Sequence, residues 1–290
     1  MEVAKRYKYL LAMDGSVHAH RAAQFLARRA AVLRPAEAII VNALHGAPAP
    51  GKGPFEADAA AAQAARMLEA AGVPATVLTP LGEPAQMIVE AARMNGCDEV
   101  VLGSRGAGAV ENFAIGSVAY KVAHLAPVPV TIVPNPFGSA ELDLEDTDGT
   151  HRILLAVDGS DYATRAADYV CRLKGARVPL SVCLLNVQLP IVSRQVSRYV
   201  SRATMDAFLE EEGREVLAGP ATALAAAGVA AETRVRIGQV ARTIVQEAGL
   251  IGATRIVLGS RGLGALAGMV LGSTALQVMH LAELPVTLVK

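Results

Sequence analysis

The sequence predicts an α/β fold present twice, each copy a five-stranded, mainly parallel sheet flanked by helices. Three observations carry that prediction. Apolar runs of strand length alternate with stretches of helical period, the series repeats at a near-constant offset, and each copy has the same glycine-punctuated loop after its fourth strand. The 290 residues allow two domains, 1–136 and 151–290, each long enough to bury a core, with 137–150 between them.

In the first copy, residues 8–14 read as a strand ending in Asp14, and Gly15-Ser16 turn into a helix that runs to about Leu33. An apolar run at Ile39 to Ala43 is the second strand, Ala75 to Thr79 the third, Val100-Val101-Leu102 the fourth and Val128 to Val133 the fifth. Glu83-Pro84 opens the helix between the third and fourth strands, with proline at the first helical position. The second copy repeats each step: Arg152 to Asp158, Val182 to Val187, Glu232 to Ile237, Ile256 to Leu258, and Leu284 to Val289. Asp14 and Asp158 stand 144 apart (158 − 14), whereas Gly103 and Gly259 stand 156 apart (259 − 103), so the second copy carries extra residues before Gly228. Strands that alternate with helices imply right-handed crossovers and a covered parallel sheet. A ligand of such a sheet belongs at the carboxyl ends of the strands, where Asp14, Asn42-Ala43 and Gly103 all fall.

The repeated loop is the strongest chemical signal. Gly103-Ser104-Arg105-Gly106 is followed after nine residues by Gly116-Ser117-Val118, and Gly259-Ser260-Arg261-Gly262 after nine by Gly272-Ser273-Thr274. Glycines without Cβ let a loop take positive φ and expose backbone N–H groups to a ligand. The helix that starts near Gly116 would add its unpaired amides and dipole, and Ser117 a hydroxyl. The bland alternative is a strand that turns into a capped helix with no ligand; duplication at fixed spacing favours phosphate. Arg105 and Arg261 either neutralise phosphate charge or stand solvated.

Other classes find less support. Lys plus Arg and Asp plus Glu balance at 27 each, so no long-range field draws nucleic acid. No apolar stretch reaches membrane length, and the first residues lack the apolar core of a signal peptide, so the expectation is a cytoplasmic protein without membrane or nucleic-acid partners. Cys97, Cys171 and Cys183 form no metal-ligand spacing and read as core residues. There is no P-loop stretch and no defensible catalytic triad, and His18-x-His20 reads as surface. His124 and His280, late in matching helices, suit the dipole there. The acids of 137–150 make a linker, and Gly46 to Pro54 a glycine- and proline-rich loop. Ser193-Arg194, Ser197-Arg198 and Ser201-Arg202 recur every four residues, which suits an arginine stripe along one helix.

The loop spacing, its place between strand and helix, and the upstream aspartate resemble the ATP-binding branch of the universal stress protein family. The resemblance spans both copies, which implies a tandem, Rossmann-like, universal-stress-type chain. It implies that Gly103, Gly106, Gly116 and Ser117 hold triphosphate and ribose, that Asp14 meets the adenine or ribose region, and that the backbone around Ala43 flanks adenine. The counterparts are Gly259, Gly262, Gly272, Ser273, Asp158 and Val187. Family members usually carry a larger apolar residue than Ala43 there, a place Val187 fills. Glu111 lies within the first nine-residue spacer, where an inward carboxylate would oppose phosphate. The implied ligand is ATP, with Mg2+ or Mn2+ bridging its phosphates as an option. The implied assembly is a pseudo-dimer of the two copies through their last strands, with a further homodimer also open. Three functions follow: a nucleotide-dependent regulatory switch in stress response, a slow ATPase or phosphotransferase, and a nucleotide-free adaptor. No general base is evident, so little or no turnover is expected.

Overall fold

The computed structural model describes residues 6–33, 35–44, 55–106, 115–134, 151–173, 180–191, 199–263 and 271–290. The linker 137–150, the segment Gly46 to Pro54, Glu111, Arg194 and Arg198 lie outside them. The chain divides into two compact units, Met1–Glu145 with Gly175–Val178 and Glu283–Leu288, and Asp146–Lys174 with Pro179–Ala282 and Val289–Lys290.

Unit 1 runs β1 (Tyr7–Ala12), α1 (Val17–Leu33), β2 (Ala36–Val41), α2 (Phe55–Ala70), β3 (Ala75–Leu78), α3 (Pro84–Met94), β4 (Glu99–Gly103), α4 (Ser117–Leu125) and β5 (Val130–Val133). The strands lie in the order β3-β2-β1-β4-β5, every neighbouring pair parallel. The order reverses between β1 and β4, which opens the switch point at their carboxyl ends. Leu11, Met13, Phe25, Leu26, Ile40, Leu68 and Val101 pack into one core cluster. α3 starts as its sequence predicts, with Pro84 in the first turn and the Glu83 carboxylate accepting the Gln86 N–H at 2.9 Å.

Unit 2 repeats the sequence of elements as far as its fourth helix: β6 (His151–Ala156), α5 (Asp161–Arg172), β7 (Leu180–Gln188), α6 (Arg202–Ala226), β8 (Ala230–Ile237), α7 (Val240–Leu250), β9 (Arg255–Gly259) and α8 (Ser273–Leu281); the last strand of the chain is β10 (Val286–Val289). β9-β6-β7-β8 form its parallel sheet. Tyr169, Leu154, Leu155, Leu173 and Leu184 are fully buried in it.

Residues Glu283–Leu288 belong with unit 1. There β10 runs antiparallel to β5, with Thr287 opposite Thr131. Both threonines are fully buried, and their hydroxyls meet at 2.7 Å. Thr131 donates its proton to Glu99 Oε1 at 2.5 Å, so in the pair Thr287 is the donor and Thr131 the acceptor. Tyr7 donates to the other Glu99 oxygen at 3.2 Å. Glu99 itself has no exposed surface, and these hydroxyls replace water around its carboxylate.

Several expectations are corrected by the backbone. β1 and β6 end at Ala12 and Ala156, two residues before the aspartates, because each carboxylate captures the N–H of the second residue beyond it and bends the chain. The glycines within those bends, Gly15 at φ 77° and Gly159 at φ 83°, take the left-handed conformation the turn demands. The arginine stripe does not continue through Arg202. Ser201 caps α6 in an extended conformation, its Oγ accepting the Thr204 N–H at 3.1 Å, so Arg202 starts a helix rather than ending one.

Cys97 and Cys183 lie in the cores, whereas Cys171 is half-buried on α5. Burial pushes the Cys97 and Cys183 thiols up to about 11, and Cys171 upward by the same cause. A thiol that resists ionisation in the folded state stabilises it below the unfolded pKa of about 8.5, and that contribution is lost as the pH rises toward 11. Maleimide at pH 8 should therefore label Cys97 and Cys183 slowly in folded protein and rapidly in urea. Equal rates in both would contradict the burial.

Candidate functional site

The crevice of unit 2 is built on Asp158, which follows β6. One carboxylate oxygen, Oδ1, accepts both the Ser160 N–H at 3.0 Å and the Ser160 hydroxyl at 2.6 Å. The other, Oδ2, accepts the Leu263 N–H at 3.1 Å. Ser160 also caps α5 by accepting the Ala163 N–H. One aspartate thereby joins the strand end, a helix start and the glycine loop.

The loop leaves β9 through Gly259, which packs directly on α5: a Cβ there would lie 2.7 Å from the Tyr162 Cβ and 2.8 Å from its carbonyl carbon. Ser260 then spends both main-chain groups, its N–H on Val289 at 2.7 Å and its carbonyl on the Gly272 N–H at 2.8 Å. Those bonds draw the two ends of the loop together beneath it. At this neck a Cβ on Gly272 would come 3.3 Å from the Arg261 Cα. The Arg261 guanidinium lies 5.3 Å from the centroid of the Tyr162 ring, a ring that Arg165 also approaches at 5.2 Å. Burial, and to a lesser extent the nearby Arg261 charge, hold Lys290 down at about 8.

α8 begins at Ser273 on Gly272 with no side-chain cap, in contrast to α3, α5 and α6. Its first N–H groups therefore point out with a partial positive charge. Beside them opens a cavity of about 300 Å³. Leu185, Val187, Val240, Ile244 and Leu258 form its apolar wall. Asp158, Arg261, Gly262, Ser273 and Thr274 form its polar one. An apolar slot that ends in backbone donors fits a ligand with a flat apolar body and an anionic tail.

Unit 1 repeats the construction where its residues are described. Asp14 Oδ1 accepts the Ser16 N–H at 3.0 Å, and Ser16 caps α1 through the Ala19 N–H at 3.1 Å. Gly103 abuts α1, a Cβ there falling 2.6 Å from the His18 carbonyl carbon. Ser104 gives its N–H to Val133 at 2.9 Å and takes that of Gly116 at 2.8 Å. His18 stands where Tyr162 does in unit 2, and burial, then the Arg105 charge, lower its pKa. Ala43 is half-buried one residue beyond Asn42, whose N–H bonds Leu78 at 2.9 Å. Gly116 caps α4 without a side-chain bond, leaving Ser117 and Val118 in the same helix-start position as Ser273 and Thr274.

The sequence pattern of the Universal stress protein family matches residues 7–134 and, a second time, residues 149–290. The chain belongs to the universal stress protein family. It is a tandem member, and single-domain relatives align to about half of it. Universal stress protein YxiE of Bacillus subtilis is 32% identical over 146 residues, 48% of this chain and 99% of its own. A Thermus aquaticus universal stress protein is 37% identical over 132 residues, 43% of this chain and 96% of its own. The crystal structure of an Archaeoglobus fulgidus universal stress protein superimposes over 98% of each chain with a TM-score of 0.67 at 23% identity, and so shares the fold.

Within the universal stress fold, Asp158, Val187, Gly259, Arg261, Gly262, Gly272, Ser273 and Thr274 come together around one cavity. Ser260 does not join them. It is fully buried beneath the loop with its backbone committed, and Ser104, at 4% exposure, is placed alike. The N–H groups of Gly116 and Gly272 are likewise committed to the serine carbonyls, so among the described residues the uncommitted helix-start donors begin one residue later. Nor do the motif glycines take positive φ; none of Gly103, Gly106, Gly116, Gly259, Gly262 or Gly272 lies in the left-handed region. Close approach by another chain segment is what excludes their Cβ. Val240 and Ile244 were not singled out in the sequence, where their helical spacing matches a core face; the Gly238 entry at the carboxyl end of β8 was the available signal. Among the described residues no helix is long and apolar enough to cross a membrane, and no three acids, histidines or cysteines gather as a metal cluster.

Proposed function

We propose that this universal stress protein binds an adenine nucleotide, ATP foremost, in the crevice of unit 2, and in the like-built crevice of unit 1, as a regulatory ligand. The observation that carries the reading is the cavity of about 300 Å³ whose apolar wall leads to the uncapped start of α8. A base would lie against Val187, Val240 and Ile244. The phosphates would reach the amides of Gly262, Ser273 and Thr274 and the Ser273 hydroxyl, with Arg261 close by. A divalent ion such as Mg2+ or Mn2+ would arrive on the phosphates. Binding to the folded form alone stabilises it, and unequal binding to two arrangements of the chain shifts their populations, which is the physical content of a switch. The second match of the family pattern, over residues 149–290, supports reading the two copies as an intramolecular pseudo-dimer.

Calorimetry with ATP, ADP and GTP tests the site. Gly262→Val places a branched side chain against the Asp158 carboxylate, which lies within contact distance of even a single Cβ there. ATP affinity should fall at least tenfold, about 1.4 kcal/mol. Unchanged affinity in this variant defeats the assignment, and acid extracts of freshly purified protein should contain adenine nucleotide.

A further inference from the structure

We infer that Asp158 acts as a positioning residue: its two carboxylate oxygens latch the Gly262-Leu263 loop to the start of α5, and this latch, rather than a contact with the nucleoside, sets affinity for the anionic tail of the ligand. The inference rests on the nucleotide reading for its ligand and on the protein alone for its latch.

Geometry carries it. Oδ1 is already engaged by the Ser160 N–H and hydroxyl, and Oδ2 by the Leu263 N–H. A carboxylate accepts such bonds through both oxygens at once, whereas an amide offers one acceptor and one donor group. The side-chain amide in Asp158→Asn would turn its NH2 toward either the Ser160 turn or Leu263, both of which present donors. Facing Leu263, the amide would replace the loop's charge-assisted bond with a donor; facing Ser160, it would break the turn bonds that hold the side chain against the loop, so either way the latch loosens. Directly before Leu263, Gly262 passes so close to Oδ2 that an added Cβ would overlap it. Unit 1 shares two parts of the arrangement, a Gly106 Cβ that would fall 2.6 Å from Asp14 Oδ2 and an Oδ1 that accepts the Ser16 N–H. Two copies thus keep a glycine where the aspartate needs room. The missing Cβ of the second glycine in each motif is a clearance for the aspartate.

The latch also answers an electrostatic question. A carboxylate on the wall of a polyphosphate site weakens binding by repulsion unless it provides something larger. Holding the loop amides in place before the ligand arrives is such a provision, since a preorganised loop is not ordered at the expense of binding.

The test compares adenosine with ATP in wild type, Asp158→Asn and Leu263→Pro. Adenosine has no tail to reach the loop. Proline at 263 removes the N–H that Oδ2 accepts and leaves the carboxylate intact. The Leu263 side chain is 74% exposed, so that change spares the core. In both variants ATP affinity should fall about tenfold or more while adenosine affinity stays within about twofold. Hydrogen exchange of the ligand-free protein provides a readout that needs no nucleotide: the peptide ending at Leu263 should exchange faster in Asp158→Asn. Equal losses for adenosine and ATP would make Asp158 a nucleoside contact and overturn the inference. Undiminished ATP binding in either variant overturns it as well, as does unchanged exchange. Wild type that binds neither ligand, alongside accelerated exchange in Asp158→Asn, would sink the nucleotide reading and leave the loop latch standing.

Discussion

Gly259→Ala should destabilise unit 2 by about 1–3 kcal/mol and lower its melting temperature by roughly 5–10 °C. The reason is the kind of atom the new methyl meets. At Gly259 it meets the Tyr162 Cβ and carbonyl carbon at 2.7 and 2.8 Å, so α5 itself has to move away from the sheet. At Gly262 the obstacle is the tip of a carboxylate, which can swing aside at the cost of its hydrogen bonds. Gly249→Ala in α7 is the matched control. Nothing lies within 4 Å of its added Cβ, and alanine favours helix over glycine by about 0.5–1 kcal/mol, so that variant should gain stability. Thermal melts of the three proteins decide the matter. Gly259→Ala melting with wild type would mean that the close contact between β9 and α5 is absent in solution.

Thr131→Val should cost about 1–3 kcal/mol in unit 1 although the two side chains have nearly the same shape. Valine keeps the packing between β4, β5 and β10 but withdraws the proton given to Glu99 Oε1 and the acceptor that Thr287 uses. The acceptor left behind is a carboxyl oxygen with no exposed surface, so water does not replace the lost donor. Thr131→Ser retains the hydroxyl and should recover most of the difference. Urea titrations of the two variants separate the hydroxyl from the methyl. If valine proves as stable as threonine, the relay from Thr287 to Glu99 contributes nothing.

Much of this architecture was legible because its signals were local and occurred twice. Alternating periodicity gave the order of strands and helices, and the shift of offset from 144 to 156 located the extra length of the second copy. The aspartates and glycine loops were visible for the same reason, and most of their second-copy members surround one cavity. What the loop glycines do was not legible. Absence of a Cβ looks the same in sequence whether it permits positive φ or permits contact with Tyr162, His18 or an aspartate, and only the fold decides between them. The serines inside the motif show the same limit: nothing in their sequence context tells that the backbone of Ser104 and Ser260 fastens the loop from below. Val240 and Ile244 went unmarked because apolar helix positions read as core until a cavity shows them facing a ligand space.

The bond between Thr131 and Thr287 spans 156 positions of sequence, and that distance has a meaning in time. A ribosome that adds about 5–20 residues per second needs on the order of 8–30 s to travel from one threonine to the other. During that interval the nascent first unit holds β5 as an open edge, with Glu99 still waiting for part of its relay. Unpaired edges of this kind invite pairing with neighbouring chains, so newly made protein is most exposed to misassembly while its second copy is still being translated.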